Sequence, residues 1–307
     1  MLPADLEKAM KIIVCSKEVI DPALNLDFGL SNSVIFKEGP PLKLNPSDAA
    51  ALSIALTLKS ADGTAEITVV SIGPPRVEHY LRNALALGAD KAIRIWDDDF
   101  DGLSPYRKAV LLSGIVTLSG ADLVLTGAKS LDTGSGQVGQ LIAGRLGWPC
   151  VYTVTNIELE SDGVILLKDT GRGEREKVAC KLPVVAAIKG EGKLPYASLD
   201  RYIESKYSEI TSLSPIDLGI SPIELKKDPA PVTRLIYPRP SPVKAPPLDS
   251  SLPAFYRILQ LLEGGIVKRK GRMLEGSSDE VAEKLFQLFL EEGVLKGAAG
   301  KNDAGKR

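Results

Sequence analysis

LVLTGAKSLDTGSGQVGQLIAGRLG, residues 123–147, is the stretch from which the fold is read. A short apolar run ends at Gly127. A loop of small and polar residues follows. From Gln137 the apolar positions recur at helical spacing until Gly147 ends the helix. A buried strand that feeds a helix through small residues places bare backbone amides and a helix N-terminus beyond the strand end, and that combination binds anions. Gly134, Gly136 and Gly139 spell GxGxxG. The loop is too long for the tight turn of a dinucleotide fingerprint, and it lies in the fourth strand–helix unit rather than the first. No GxxxxGK[ST] occurs, which argues against a P-loop NTPase. A phosphate-cradling loop is the favoured reading; a plain flexible connection is the other.

The same alternation extends towards the N-terminus. KIIVC (11–15), EITVVSI (66–72) and KAIRIW (91–96) read as buried strands. Helices are predicted from Asn45, over 76–88 and over 105–119. The fold class is therefore α/β, an open, mostly parallel sheet with helices on both faces. Residues 151–160, 163–168 and 176–188 predict strands that extend the sheet in antiparallel fashion, with turns such as Ser161-Asp162-Gly163. A hairpin is expected around VIFKEG, 34–39. In such a sheet, ligands sit beyond the carboxyl ends of the strands. Cys15-Ser16-Lys17 and Ser71-Ile72-Gly73 border one crevice if their strands are central. Asn45-Pro46-Ser47-Asp48 opens a helix there. Asn45 can cap, Pro46 suits the first helical position and Asp48 suits the dipole, so simple capping is the favoured reading. Cys15 reads as a small core residue rather than a reactive thiol.

Composition removes several function classes. The 307 residues carry Lys+Arg 38 against Asp+Glu 39, a net charge of -1, which disfavours a dedicated nucleic-acid binder. One histidine, His79, leaves no His-based triad, multi-His metal site or His relay, and it reads as solvent-facing or structural. Three scattered cysteines suggest neither a disulfide framework nor a CxxC metal site. No apolar run approaches the roughly 18 residues of a membrane span, and the start lacks the marks of a secretory signal, so the cytoplasm is expected. After residue 213 the composition shifts. Residues 1–213 are expected to form a nucleotide-binding domain, and 214–307 an extended arm. The arm includes the Pro-rich stretch 229–253, a short helix at 254–263 and a basic patch, Lys268-Arg269-Lys270. SSDEVAEKLFQLFLEEGVL, from Ser277, predicts an amphipathic helix that either docks on another protein or folds back. The tail 297–307 reads as disordered. From residues alone, a stand-alone nucleotide-binding regulator or hydrolase is also a reading.

The chain resembles the β subunit of electron transfer flavoproteins over about residues 11–240 and, more loosely, at the terminal helix. KIIVCSKEVIDP resembles the family's opening strand with its Lys-x-Val motif. LNPSDAAALSIALTLK resembles the Asn-Pro helix start, ITVVSIGP with LRNALALGADKAI the next unit, and GAKSLDTGSGQVGQLIAGRLGWP the nucleotide-phosphate loop. KLPVVAAIKGEGKLPYASLDRYIESK resembles the partner-recognition segment. Five such matches in register carry the likeness. It implies a heterodimer with an α subunit that binds FAD, over which this chain packs, with the terminal helix docked on that subunit. It also implies a second adenine nucleotide within this chain: structural AMP in one class, or a second FAD reduced by NADH in the bifurcating or Fix-like class.

The nucleotide positions implied are Cys15, Asn45, Pro46, Ser47, Asp48 and Ile72, with the loop that runs through Gly127, Ala128, Lys129, Ser130, Leu131 and Asp132 to Thr133, Gly134, Ser135, Gly136, Gln137 and Val138. Glu176 matches an acidic position near the α-bound flavin, and otherwise reads as an exposed strand carboxylate. Tyr196 and Leu199 match the loop that docks dehydrogenases and a quinone reductase, and Leu199 otherwise reads as a buried loop anchor. Two departures matter. Asp200 stands where the family usually has Pro, and Glu204 dilutes its basic run. Gly136 stands where the AMP class often has Asn; a small residue there leaves room for a pyrophosphate. With the KEVIDP and IFKEGPPLKLNP segments, this favours FAD over AMP.

Overall fold

A computed structural model describes residues 9–21, 42–97, 100, 102–160, 163–229, 251–262 and 273–291. The chain divides into two compact units, 1–235 and 236–307.

The first unit is built on β1 (Lys11–Ser16), which leads through β2 (Glu18–Ile20) and β3 (Leu42–Leu44) to α1 (Pro46–Asp62). Then come β4 (Glu66–Ile72), α2 (Glu78–Leu87), β5 (Lys91–Ile95), α3 (Pro105–Ser119), β6 (Leu123–Gly127) and α4 (Val138–Leu146). A long antiparallel run follows, β7 (Cys150–Glu160), β8 (Gly163–Gly171) and β9 (Glu174–Cys180). The unit closes with β10 (Val184–Ile188), α5 (Leu199–Tyr207), β11 (Thr211–Leu213) and α6 (Pro222–Lys226). The sheet order is β11-β5-β4-β1-β6-β10-β7-β8-β9. The small hairpin β2–β3 pairs Val19 with Lys43.

Strand alternation sorts the core onto the two faces of the sheet. Ile12 and Val14 of β1 pack with Ala51, Ala55 and Leu58 of α1 and Leu81 of α2. Their neighbours Ile13 and Cys15 pack with Leu111 and Ile115 of α3 and Ile142 of α4. Helices thus cover both faces, as the alternation predicts. The chain runs from β1 outward through β4 and β5, then returns to place β6 on the other side of β1. The switch of direction lies between β1 and β6, and the ligand crevice of an open sheet falls at such a point.

One strand assignment needs correction. Residues 176–188 are not a single antiparallel strand. Pro183, which cannot donate to a ladder, separates β9 from β10. The charged β9 forms the edge. The fully buried β10, VVAAI, inserts parallel between β6 and β7. Residues 214–226, placed in the arm from sequence, carry Leu218, Ile220 and Leu225 onto the α3–α4 face.

The second unit contains α7 (Ala254–Leu262) and α8 (Ser278–Glu291). Ser277 caps α8: its Oγ accepts from Glu280 N at 3.4 Å, and its own N–H donates to Glu280 Oε2 at 3.1 Å. The hairpin expected at 34–39, residues 230–250 of the Pro-rich arm, the basic patch 268–270 and the tail 297–307 lie outside the described residues.

Candidate functional site

Asn45 and Asp48 seal the crevice between the ends of β1 and β6. Asn45 does not cap α1 with its side chain. Its Nδ2 donates to Asp48 Oδ1 (3.0 Å) and to the Lys129 carbonyl (3.2 Å), while its Oδ1 accepts from Leu131 N (3.2 Å). One carboxamide therefore grips the loop after β6 from both sides, which corrects the capping reading. Asp48 lies in the first turn of α1, where its carboxyl suits the dipole. It is buried, and its Oδ2 accepts the Lys17 N–H at 2.8 Å. Burial raises its carboxyl to about 7, against hydrogen bonds from Asn45, Lys17 and the Gly127 backbone. Gly127 is small because a Cβ there would strike Asp48 Oδ1. Pro46 occupies the first turn of α1, and its carbonyl accepts from Gly192 N (3.4 Å), while Ser47 Oγ donates to the Gly190 carbonyl (3.3 Å).

Cys15 is 8% exposed in the α3–α4 core, and burial, with the Asp48 charge, pushes its thiol up. It behaves as a core residue at the crevice floor, not as a nucleophile. Ile72 ends β4 beside the same core.

Charge gathers at the mouth. Lys17 Nζ meets Asp132 Oδ2 at 2.6 Å. Burial works to raise the Asp132 carboxyl. Hydrogen bonds from Lys17, Ser130 and the Thr133 N–H, with the Lys17 charge, bring it below its usual value. Ser130 Oγ and Thr133 Oγ1 lie 3.0 Å apart. Lys108 of α3 senses the same pair: burial first, then Lys17, lowers its ammonium, and Asp132 opposes. Lys108 therefore shares an electrostatic environment with the Lys17–Asp132 pair. Gly134 and Gly136 turn the loop at φ of 60° and 61°. The N–H groups of Gly134, Ser135, Gly136 and Gln137 donate to no protein acceptor among the described residues. Val138 begins α4, and Gln137 precedes it without a side-chain cap bond. Beneath that turn, the buried Thr126 Oγ1 has no hydrogen-bond partner. Lys17 at the mouth and the bare amides of the loop form a donor set that fits a phosphate.

The outlying residues form separate features. Glu176 is exposed on β9 and pairs with Lys168 at 3.2 Å. Tyr196 is fully exposed and Leu199 is 71% exposed at the start of α5, so Leu199 is not a buried anchor. Arg82 of α2 donates to the carbonyls of Ser205, Lys206 and Ser208 and fixes the far end of that helix. Sequence reasoning missed three residues. Lys17 stood in a quoted motif without a role. Lys108 lies in the first turn of a helix that starts on the crevice side, a position that could have flagged it. Tyr152, whose hydroxyl donates to the Ala128 carbonyl at 2.9 Å, carries no sequence signal because β10 separates its strand from β6.

A doubly wound sheet with a phosphate-type crevice at its switch point defines a nucleotide-binding α/β protein. Residues 33–197 match the electron transfer flavoprotein domain, and the chain belongs to that family, on its β-subunit side. It is similar to the caffeyl-CoA reductase-Etf complex subunit CarD of Acetobacterium woodii, with 34% identity over 69% of this chain and 81% of that protein. It is similar to the FixA protein of Sinorhizobium fredii, with 32% identity over 78% and 88%. The electron transfer flavoprotein subunit beta of Methylophilus methylotrophus is 27% identical over 94% of this chain and 100% of its own length.

Proposed function

We propose that this chain is the β subunit of a heterodimeric electron transfer flavoprotein and holds an adenine nucleotide between the ends of β1 and β6. The observation that carries this is the crevice mouth, where Lys17 meets Asp132 of a loop whose 134–137 amides are bare. Lys17, Lys108 and the 134–137 N–H groups hold the phosphates. The Asn45 carboxamide keeps the loop shaped for them.

The nucleotide we favour is a second FAD, as in the bifurcating or Fix-like class, which would supply a hydride acceptor for NADH there. The likeness to a protein named FixA supports the Fix-like class. Gly136 no longer does: a Cβ there would come within 2.7 Å of the Tyr152 hydroxyl, so its small size has a local cause rather than making room for a pyrophosphate. AMP is the alternative occupant.

A flavin, when bound, supplies electron transfer; the protein supplies position and charge. The partner is an electron transfer flavoprotein α subunit with its own FAD. Glu176 faces that flavin, and α8 docks on that subunit. Tyr196 and Leu199 meet dehydrogenases and a quinone reductase or ferredoxin, through a small exposed apolar anchor suited to brief contact. No described helix is long and apolar enough to cross a membrane. We place the complex in the cytoplasm.

The test removes charge without changing the fold. Lys17→Met with Lys108→Met is expected to lower nucleotide affinity of the heterodimer by about tenfold or more, since each lost contact is charge-assisted. Association with the α subunit should be unchanged. Undiminished nucleotide retention in the double variant would overturn the placement.

A further inference from the structure

Thr153 sits at φ 64°, a left-handed conformation that a β-branched residue rarely adopts. It is also the extra residue of a bulge. Along β10, Ala187 pairs with Tyr152 and Ile188 with Val154, so Thr153 is skipped, and the β7–β8 register shifts just beyond. The surroundings hold the bulge in place. Thr153 Oγ1 lies 2.7 Å from the Asp169 carbonyl and 2.6 Å from that of Tyr152. Lys189 N donates to the Val154 carbonyl at 2.7 Å, and Lys189 Nζ meets Asp169 Oδ2 at 2.7 Å. Strain that is over-determined in this way marks a position where a bulge re-aims a neighbouring side chain.

The neighbour is Tyr152. Its strand is not adjacent to β6, because β10 lies between them. The phenol nevertheless reaches past β10 to donate to the Ala128 carbonyl, at the start of the crevice loop. Ala128 is held from the other side by its own N–H, which donates to the Ile188 carbonyl at 2.7 Å. A Cβ on Gly136, near the loop's far end, would come within 2.7 Å of the same hydroxyl. One oxygen thus holds one shoulder of the loop and closely approaches the other, while Asn45 and Lys17 tie its middle.

We infer that Tyr152, aimed by the strained bulge at Thr153, is a positioning residue that sets the shape of the nucleotide loop by bracing Ala128 against Gly136. This rests on the proposal that the crevice holds an adenine nucleotide. Tyr152 acts through the loop backbone. Its loss widens the cradle rather than unfolding the sheet.

The experiment uses the heterodimer with the α subunit. Nucleotide is stripped, and wild type and Tyr152→Phe are titrated by calorimetry with AMP and, separately, with FAD. The ring remains in Tyr152→Phe, so the melting temperature should stay close to wild type. The probe that wild type binds should bind about five- to tenfold more weakly, the effect of one lost hydrogen bond on a preorganised loop. A second variant, Thr153→Val, keeps the β-branch but removes the hydroxyl that ties the bulge to Asp169, and it should weaken the same probe. Equal affinity of wild type and both variants overturns the inference and leaves the nucleotide site standing. Failure of wild type to bind either probe overturns both.

Discussion

Asp48 ionises in a place built to be dry, and the sign of that effect can be checked. Its folded carboxyl titrates at about 7, raised chiefly by burial, against about 3.9 in an unfolded chain. The folded state therefore holds the proton more tightly, so Asp48 adds stability that is complete below about pH 4 and lost as pH rises towards 7. Urea unfolding of wild type and Asp48→Asn at pH 5 and pH 8 should show wild type losing more stability across that interval. Parallel behaviour of the two would contradict the buried, proton-linked carboxyl. Thr153 offers a second check. Thr153→Gly removes the penalty of a β-branched side chain at positive φ, about 1–2 kcal/mol, but also the Oγ1 bond to Asp169. The two nearly offset, and the unfolding midpoint should move little, whereas Thr153→Val should lower it. Residue types at this scale were legible, but their partners were not. Asn45 before Pro46 reads as a cap, because capping is local, yet its true partners are Lys129 and Leu131, more than eighty positions away.

Among the elements, β6 meets the start of α1 closely at Gly127. Gly127→Ala places a methyl against Asp48 Oδ1, 3.0 Å from Asn45 Nδ2 and 3.1 Å from Ser47 Cβ. That crowding should cost about 1–3 kcal/mol and loosen the join between β6 and α1. An unfolding midpoint equal to wild type would show that the join is not tight. The strand–helix units up to α4 were readable because each strand is a short buried run followed by a capped or glycine-ended helix. β10 was not. It is as apolar as a central strand should be, but it follows directly on β9, and only the long-range pairing with β6 and β7 shows that it leaves the antiparallel run. Lys108 escaped for a similar reason: nothing in α3 itself shows that it shares an electrostatic environment with Lys17 and Asp132.

At the scale of the molecule, the sheet gathers ends from β1, β4, β6 and β10 around one crevice, while Tyr196 and Leu199 stand exposed before and at the start of α5. Leu199→Ala should therefore slow electron exchange with redox partners and leave nucleotide content unchanged; a loss of nucleotide would mean the two regions are not independent. The central claim, that this chain holds its own adenine nucleotide beside an FAD-bearing partner, is tested most directly by purifying the heterodimer, denaturing it and counting released nucleotides by chromatography. Two FAD per heterodimer are expected. One FAD with one AMP would keep the crevice and remove the second flavin. One FAD with no further adenine nucleotide would contradict the claim.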